Sequence, residues 1–259
     1  MPTEFAYEKR GRVAWLKINR PEHGNRLTPA VAADLASASA EAGADDSIDV
    51  IVLTGMGNVF CQGLVYPESM QGPHAAQAIR TQFGELHGVA ALATLTKPIV
   101  AAINGDALDV GLELALACDI RVAAEGAKFG FPQIAAGLIP FCGGTQRLPR
   151  IIGQAKALEL ILTGETISAN EAQRIGLVSE TTTAADFTTR VDELLQNLLE
   201  KGPIALRFGK EAVQKALDLT LDQGLRLEED LYALLQTTQD RAEGVSAFLE
   251  KRQPKFKGQ

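Results

Sequence analysis

Glu113 is the residue of this chain best placed for proton chemistry. It lies between Leu112 and Leu114 in the stretch Ile103-Asn-Gly-Asp-Ala-Leu-Asp-Val-Gly-Leu-Glu-Leu-Ala-Leu-Ala-Cys-Asp119. The apolar spacing predicts a helix beginning near Gly111, so Glu113 falls in its first turn. A helix N-terminus offers unpaired N–H groups and the positive end of a dipole, and together these hold a developing oxyanion. A carboxyl in the same turn moves a proton beside that anion, and apolar neighbours tune its pKa. A plainer role competes: a lone first-turn glutamate also serves simply to complement the dipole.

Other chemistry-bearing side chains are less telling. Cys61 has no activating partner nearby in sequence and reads as a small core residue. Cys61, Cys118 and Cys142 lack metal-ligand spacing, as do His23, His74 and His87. His87 falls on a predicted helix, where a structural histidine is the simpler reading. Gly55-Met-Gly57-Asn-Val-Phe60 follows a strand but lacks the third glycine of a dinucleotide fingerprint, so a turn is expected. Phe248-Leu-Glu-Lys251-Arg252 reads as a solvated helix end or, alternatively, as counter-charge for a phosphate-bearing ligand. No Ser-His-Asp arrangement is legible.

The elements that must position these residues follow from periodicity. Residues 13–19 read as a strand, and Thr28-Pro29 as the N-cap and first residue of a helix running to Ala42. Val50-Ile-Val-Leu53, an apolar run stopped by Thr54-Gly55, reads as a strand buried on both faces. Residues 57–73 are loop-like and 75–95 helical in pattern. A strand over 98–103, the Glu113 helix and a strand over 120–124 follow. This rhythm predicts an α/β fold with parallel strands. Further helices are expected at 144–150, 155–162 and 168–175, the last capped by Ser168 with Glu171 in the capping-box position. Gly202-Pro203 marks a boundary between a core, residues 1–201, and a helical region, residues 202–259. In the latter, Leu227, Leu231, Leu234 and Leu235 share a stripe.

At 259 residues, 46% hydrophobic and 22% charged, the chain buries a sizeable core. A net charge of -7 argues against a nucleic-acid or anionic-membrane surface. No apolar run is long enough to span a bilayer, and Met1-Pro-Thr-Glu-Phe5 has no signal-peptide character. Three cysteines without a pairing pattern suit a reducing compartment, so a cytoplasmic location is expected.

A series of ordered motifs then carries a resemblance. They are Ile18-Asn-Arg-Pro21, Phe60-Cys-Gln-Gly63, Lys97-Pro98 with Ala102-Ile-Asn-Gly105, and Glu113-Leu-Ala-Leu-Ala-Cys-Asp-Ile120. Lys128-Phe-Gly130, Gly143-Gly-Thr-Gln-Arg-Leu-Pro-Arg150, Leu162-Thr-Gly164 and Ala247-Phe-Leu-Glu-Lys-Arg252 continue it. From Phe5 to Phe256 the chain resembles the enoyl-CoA hydratase/isomerase, or crotonase, superfamily. The resemblance implies a crotonase-type spiral of repeated ββα units with a C-terminal helical oligomerisation region, building homotrimers or homohexamers. It implies an acyl-CoA thioester as partner and no cofactor beyond the coenzyme A of the substrate. No metal, nucleic acid or membrane is implied. Two backbone N–H groups, by position those of Leu64 and Val110, would polarise the thioester carbonyl and stabilise an enolate. Each such donor is worth roughly 3–4 kcal/mol. Coenzyme A would lie along Arg26-Leu27 and along Cys61, Gly63 and Val65, while Phe248 and Lys251 match positions that reach the coenzyme A of a neighbouring subunit.

This sequence also departs from the superfamily pattern. Hydratases of this kind place two glutamates on either side of a water; the first matches Glu113, but the second position, after Pro132, holds Gln133. A glutamine orients water by hydrogen bonds and exchanges no proton at neutral pH. Because an acid–base group contributes ~10²–10⁴-fold, ordinary hydration is expected to suffer. Asp109-Val110-Gly111 replaces the usual three glycines, and Leu64-Val65-Tyr66 replaces the usual Ala-Asp pair, so Asp109 and Tyr66 join the site as auxiliary candidates. The expected function is an acyl-CoA lyase of hydratase/dehydratase type, with Glu113 as acid–base and Gln133 positioning water. The alternatives are an enoyl-CoA isomerase or an acyl-CoA decarboxylase using Glu113 alone, or a non-catalytic CoA-binding homologue. Residues 65–92 are expected to line the acyl pocket.

Overall fold

The computed structural model describes residues 3–66 and 87–259, the side chains of 87–89 excepted. Most of the helix expected over 75–95, His74, the side chain of His87 and most of the expected acyl-pocket wall therefore lie outside the described residues. The chain divides into two compact units. One comprises the residues up to Leu95 with Ile99–Val191; the other comprises Thr96–Pro98 with Asp192–Gln259. The division falls upstream of Gly202-Pro203, which instead opens a helix.

Among the described residues the first unit holds nine strands: β1 (Phe5–Arg10), β2 (Val13–Ile18), β3 (Val50–Gly55), β4 (Ile99–Ile103), β5 (Ala107–Leu108), β6 (Ile120–Ala124), β7 (Lys128–Gly130), β8 (Thr166–Ser168) and β9 (Glu180–Thr182). They form a six-stranded sheet of order β1-β2-β3-β4-β6-β9 and a three-stranded sheet of order β5-β7-β8. In the six-stranded sheet the parallel expectation holds from β2 to β9, whereas in the smaller sheet β8 runs antiparallel to β7. The expectation also fails at the edge of the larger sheet, where β1 pairs antiparallel with β2, Phe5 opposite Ile18. β1 reads Phe-Ala-Tyr-Glu-Lys-Arg, too polar to stand out as a buried run, which is what an edge strand requires. Each residue of β3 and of β4 is buried, as befits central strands covered on both faces.

Among the described residues the helices of this unit include α1 (Pro29–Ala44), α2 (His87–Ala93), α3 (Val110–Ala117), α4 (Gly144–Ile152), α5 (Gln154–Thr163) and α6 (Ala169–Arg174). Thr28 caps α1 by accepting the Val31 amide at 3.2 Å, and Ser168 caps α6 by accepting that of Glu171 at 3.3 Å. The core runs from Phe5, Leu16 and Ile18 through Leu35, Leu53 and Ile103 to Phe129, Phe131 and Leu148. Burying chains of this size contributes on the order of 1.5–3 kcal/mol each.

Asn104 ties the end of β4 to the turn after β3, donating to the carbonyls of Gly55 at 2.8 Å and Gly57 at 2.9 Å. The Gly55–Gly57 segment is thus a turn, with no nucleotide-type cradle. Every residue of α3 is buried, and Glu113 is its only charged side chain. Buried Arg121 closes its far end, donating to the Cys118 carbonyl at 2.7 Å and the Leu177 carbonyl at 2.7 Å.

The second unit is helical, with the end of α7 (Phe187–Leu199), then α8 (Pro203–Lys215), α9 (Leu221–Gln236) and α10 (Gln239–Leu249). A full capping box at Thr220 and Gln223 starts α9. Leu231 is buried and Leu227 and Leu235 are half-buried, whereas Leu234 is 55% exposed and leaves the expected stripe. The C-terminal tail is held by Asp240, whose carboxylate accepts the Lys257 amide at 2.6 Å and the Gly258 amide at 2.8 Å. Among the described residues no helix is long and apolar enough to cross a membrane.

Candidate active site

Glu113 is fully buried in the first turn of α3, which starts at Val110, one residue before the expected Gly111. Its Oε1 accepts the backbone amides of Cys142 and Gly144, each at 2.7 Å. Its Oε2 has no hydrogen-bond partner among the described residues. One oxygen is therefore clamped by the N-terminal end of α4 and the other is left for chemistry. Burial pushes the Glu113 pKa up to about 7, against the two clamping amides, with nearby Asp109 adding to the rise. A carboxyl with that pKa gives and takes protons readily at neutral pH. The dipole-only role is excluded, because a group serving only the dipole has no reason to leave water.

The close approach behind this geometry depends on Gly111. A Cβ there would lie 1.9 Å from the Cys61 carbonyl oxygen. Gly111→Ala is expected to cost about 1–3 kcal/mol of stability, or to block folding, because backbone has to move. The urea midpoint measures this; an unchanged midpoint would mean α3 does not rest on the Cys61 strand segment.

The other sequence candidates gather around this helix. Leu27 and Leu64 form a parallel bridge, with the Leu27 amide donating to Gly63 and the Val65 amide to Leu27, both at 2.9 Å. In such a ladder the N–H of Leu64 points to the opposite side. Val110 is the first residue of α3, so its N–H is one of the helix's orphan donors. Both amides oppose the rise of the Asp109 pKa that burial causes.

Asp109 is 4% exposed and stands at φ 53°, ψ -128°, a backbone conformation of the second residue of a type II′ turn, where glycine is usual. Its Oδ2 accepts the Tyr66 hydroxyl at 2.7 Å, and its Oδ1 has no hydrogen bond of normal geometry. Burial, the largest cause, raises its pKa, and the Tyr66, Leu64 and Val110 donors oppose that rise. Tyr66 is pushed up by burial and then by Asp109, with Glu113 also contributing. Cys142 is likewise raised, by burial and then by Glu113 and Asp109. Sequence reading passed over Cys142, because its only signal is position next to Gly143-Gly144, and its role here is carried by its backbone amide.

Gln133 sits in a 3-10 turn, Pro132–Ala136, entered from Phe131. A Cβ on Gly144 would touch both the Phe131 ring, at 2.9 Å, and Glu113 Oε1, at 3.0 Å, so this turn begins against the Glu113 clamp. Gln133 is 7% exposed, and neither its Nε2 nor its Oε1 has a partner among the described residues. A buried amide left so costs about 1–3 kcal/mol per unmet group, which calls for a polar ligand to meet it.

Cys61 is fully buried, its thiol pushed up to about 12 by burial, so it is an inert core group that contributes backbone to the site. Arg26 is exposed, with its positive charge felt at Asp109 and Cys61. Phe248 and Lys251 belong to the second unit, and both are exposed. Arg252 is tied to Glu243 at 2.5 and 2.9 Å and to Glu250 at 2.6 Å, which leaves Lys251 as the better counter-charge of the pair. Among the described residues no cluster of His, Cys, Asp or Glu could hold a metal ion.

This sheet-and-helix architecture, with a buried carboxyl clamped by two backbone amides, places the protein among enzymes of the crotonase class. The family model for enoyl-CoA hydratase/isomerase matches residues 8–259, and this chain belongs to that family as a hydratase-like enzyme. The chain is 40% identical over 257 residues to 2,3-dehydroadipyl-CoA hydratase of Escherichia coli (strain K12), covering 99% of both proteins. It is 36% identical over 251 residues to crotonyl-CoA hydratase of Syntrophomonas wolfei, covering 96% of both. Among solved structures, the enoyl-CoA hydratase of Bacillus anthracis superposes with a TM-score of 0.94 at 35% identity, covering 99% of this chain and 100% of the other.

Proposed function

We propose that this enzyme adds water to the double bond of an enoyl-CoA thioester, and removes it in reverse, with Glu113 as the only proton carrier. The observation that carries this reading is the half-clamped Glu113 carboxyl, one oxygen fixed by two amides and the other unpartnered. As water attacks the β-carbon, ionised Glu113 accepts its proton. The double-bond electrons move onto the thioester oxygen, where the Leu64 and Val110 amides receive them. The enolate then collapses as Glu113 returns the proton to the α-carbon. Gln133 holds the water through its otherwise unmet amide. Acyl-CoA is thus the substrate class, and the cycle uses no cofactor beyond the coenzyme A that the substrate carries.

Both directions of this cycle start from ionised Glu113, so kcat/KM for hydration and for dehydration should rise with pH through about 7 along one shared limb. Incubation with crotonyl-CoA in heavy water, followed by mass spectrometry, tests the reaction itself. Gain of one water supports the proposal. Deuterium uptake without added water would overturn it in favour of isomerisation, the reading that the loss of a second carboxyl at Gln133 favours.

Assembly into a trimer or hexamer belongs to the same proposal. It is supported by exposed apolar side chains in the second unit, among them Leu221 (77%), Phe248 (82%) and Leu249 (73%). Such surface is costly to leave in water.

A further inference from the structure

We propose that the hydrogen bond between Tyr66 and Asp109 is a clasp that fixes the Leu64 and Val110 amides relative to one another. The proposal rests on the reading of those amides as the oxyanion hole. The two donors stand on separate pieces of chain: Leu64 follows Cys61 and Gly63, whereas Val110 opens α3 directly after Asp109. At one end the pieces are joined through backbone. The Cys61 amide donates to the Asp106 carbonyl and the Leu108 amide to the Cys61 carbonyl, both at 3.0 Å. The Gln62 side chain adds a bond to Asp106 at 3.2 Å. Beyond this the Cys61 segment changes partner. Gly63, at φ 110°, leads it onto Leu27, which pairs with it through the Leu27 and Val65 amides. The backbone pairing between the two pieces thus ends just before the two donors.

Past Gly63, the Tyr66 hydroxyl donating to Asp109 Oδ2 at 2.7 Å is the one hydrogen bond of normal geometry that joins the pieces among the described residues. Tyr66 lies two residues beyond Leu64 and Asp109 immediately before Val110, so the bond spans from one donor's segment to the other's. Both of its ends are anchored. The Tyr66 ring packs on the hydrophobic core, and the Asp109 backbone is held by its amide on the Gly130 carbonyl at 3.0 Å. The carboxyl lies close over Gly63, where a Cβ would stand 2.6 Å from Asp109 Oδ2, so the glycine admits the clasp. Oδ1 has no partner, which leaves the Tyr66 hydroxyl to hold the group in place. Donors on pieces of chain that drift apart must reorganise as charge develops, whereas a fixed pair meets the charge already in place. Tyr66 and Asp109 are thus positioning residues, acting on the thioester oxygen through the two amides.

The test reads bound butyryl-CoA, saturated and labelled with 13C at its thioester carbonyl, by difference infrared spectroscopy. In wild type the carbonyl stretch should be lowered on binding. Tyr66→Phe keeps the ring, and Asp109→Gly suits the backbone conformation at its position, so both are expected to fold. In each the stretch should be lowered less than in wild type. Their kcat for crotonyl-CoA hydration should fall about tenfold or more with KM within about twofold, the split expected of lost positioning. Asp109→Asn keeps an oxygen for the Tyr66 hydroxyl and should restore the wild-type stretch and kcat. A wild-type stretch in either Tyr66→Phe or Asp109→Gly would overturn the clasp while sparing the oxyanion hole. Asp109→Asn behaving like Asp109→Gly would overturn it too, because charge rather than the hydrogen bond would then set the carbonyl. A stretch that binding to wild type does not lower would overturn the oxyanion assignment and this proposal with it.

Discussion

Glu113→Gln is expected to reduce hydration of crotonyl-CoA by at least ~10²–10⁴-fold while leaving the fold intact. Glutamine keeps an oxygen for the Cys142 and Gly144 amides, each now at 2.7 Å from Glu113 Oε1, so the clamp survives. Only the proton exchange is lost. The ascending limb of kcat/KM near pH 7 should vanish with it.

Stability provides an independent check. The folded pKa of Glu113, about 7, lies above the ordinary glutamate value of 4.5. A raised carboxyl contributes stability fully below its unfolded pKa and loses it as pH rises through the folded pKa. Wild type should therefore weaken between about pH 4.5 and pH 7, relative to the variant, by on the order of 3 kcal/mol in total. Unfolding midpoints at pH 5 and pH 8 measure the difference. A variant with wild-type turnover would remove Glu113 from the mechanism.

Gln133→Glu is expected to act in the opposite sense, raising the hydration kcat by roughly 10²-fold. The amide is 7% exposed with neither polar atom partnered, so a carboxyl of the same shape enters a site that dehydrates it. Burial keeps such a carboxyl protonated near neutrality, which is the state an acid partner to ionised Glu113 needs. The pH profile should change from one ascending limb to a bell, because two coupled carboxyls then share the proton work. Steady-state kinetics from pH 5 to pH 9 distinguish the shapes. A folded Gln133→Glu protein with unchanged kcat and an unchanged limb would show that Gln133 does not face the water.

Much of this architecture was legible in the chain. The continuous apolar runs of β3 and β4 announced buried parallel strands, since a strand covered on both faces has no polar alternation to show. The Thr28 and Ser168 caps marked helix starts, because their oxygens are the local answer to orphan amides. β1 was missed because an edge strand of Phe-Ala-Tyr-Glu-Lys-Arg has no hydrophobic period to read. Leu234 was placed on the wrong side of α9 because a stripe of leucines does not say which of them meets a neighbour.

The site divides the same way. Residue type and spacing singled out Glu113, whereas Gln133, Asp109 and the amides of Leu64 and Val110 came from the resemblance to the superfamily, through the positions they match or depart from. Three things were decided only by the tertiary structure: the Cys142 and Gly144 amides on one oxygen of Glu113, the bare amide of Gln133, and the Asp109 carboxyl gripped by Tyr66. Each depends on segments distant in sequence meeting in space, and on the loss of water there. Desolvation, which sets the proton affinity of Glu113 near 7, is a property of those meetings and of no single residue.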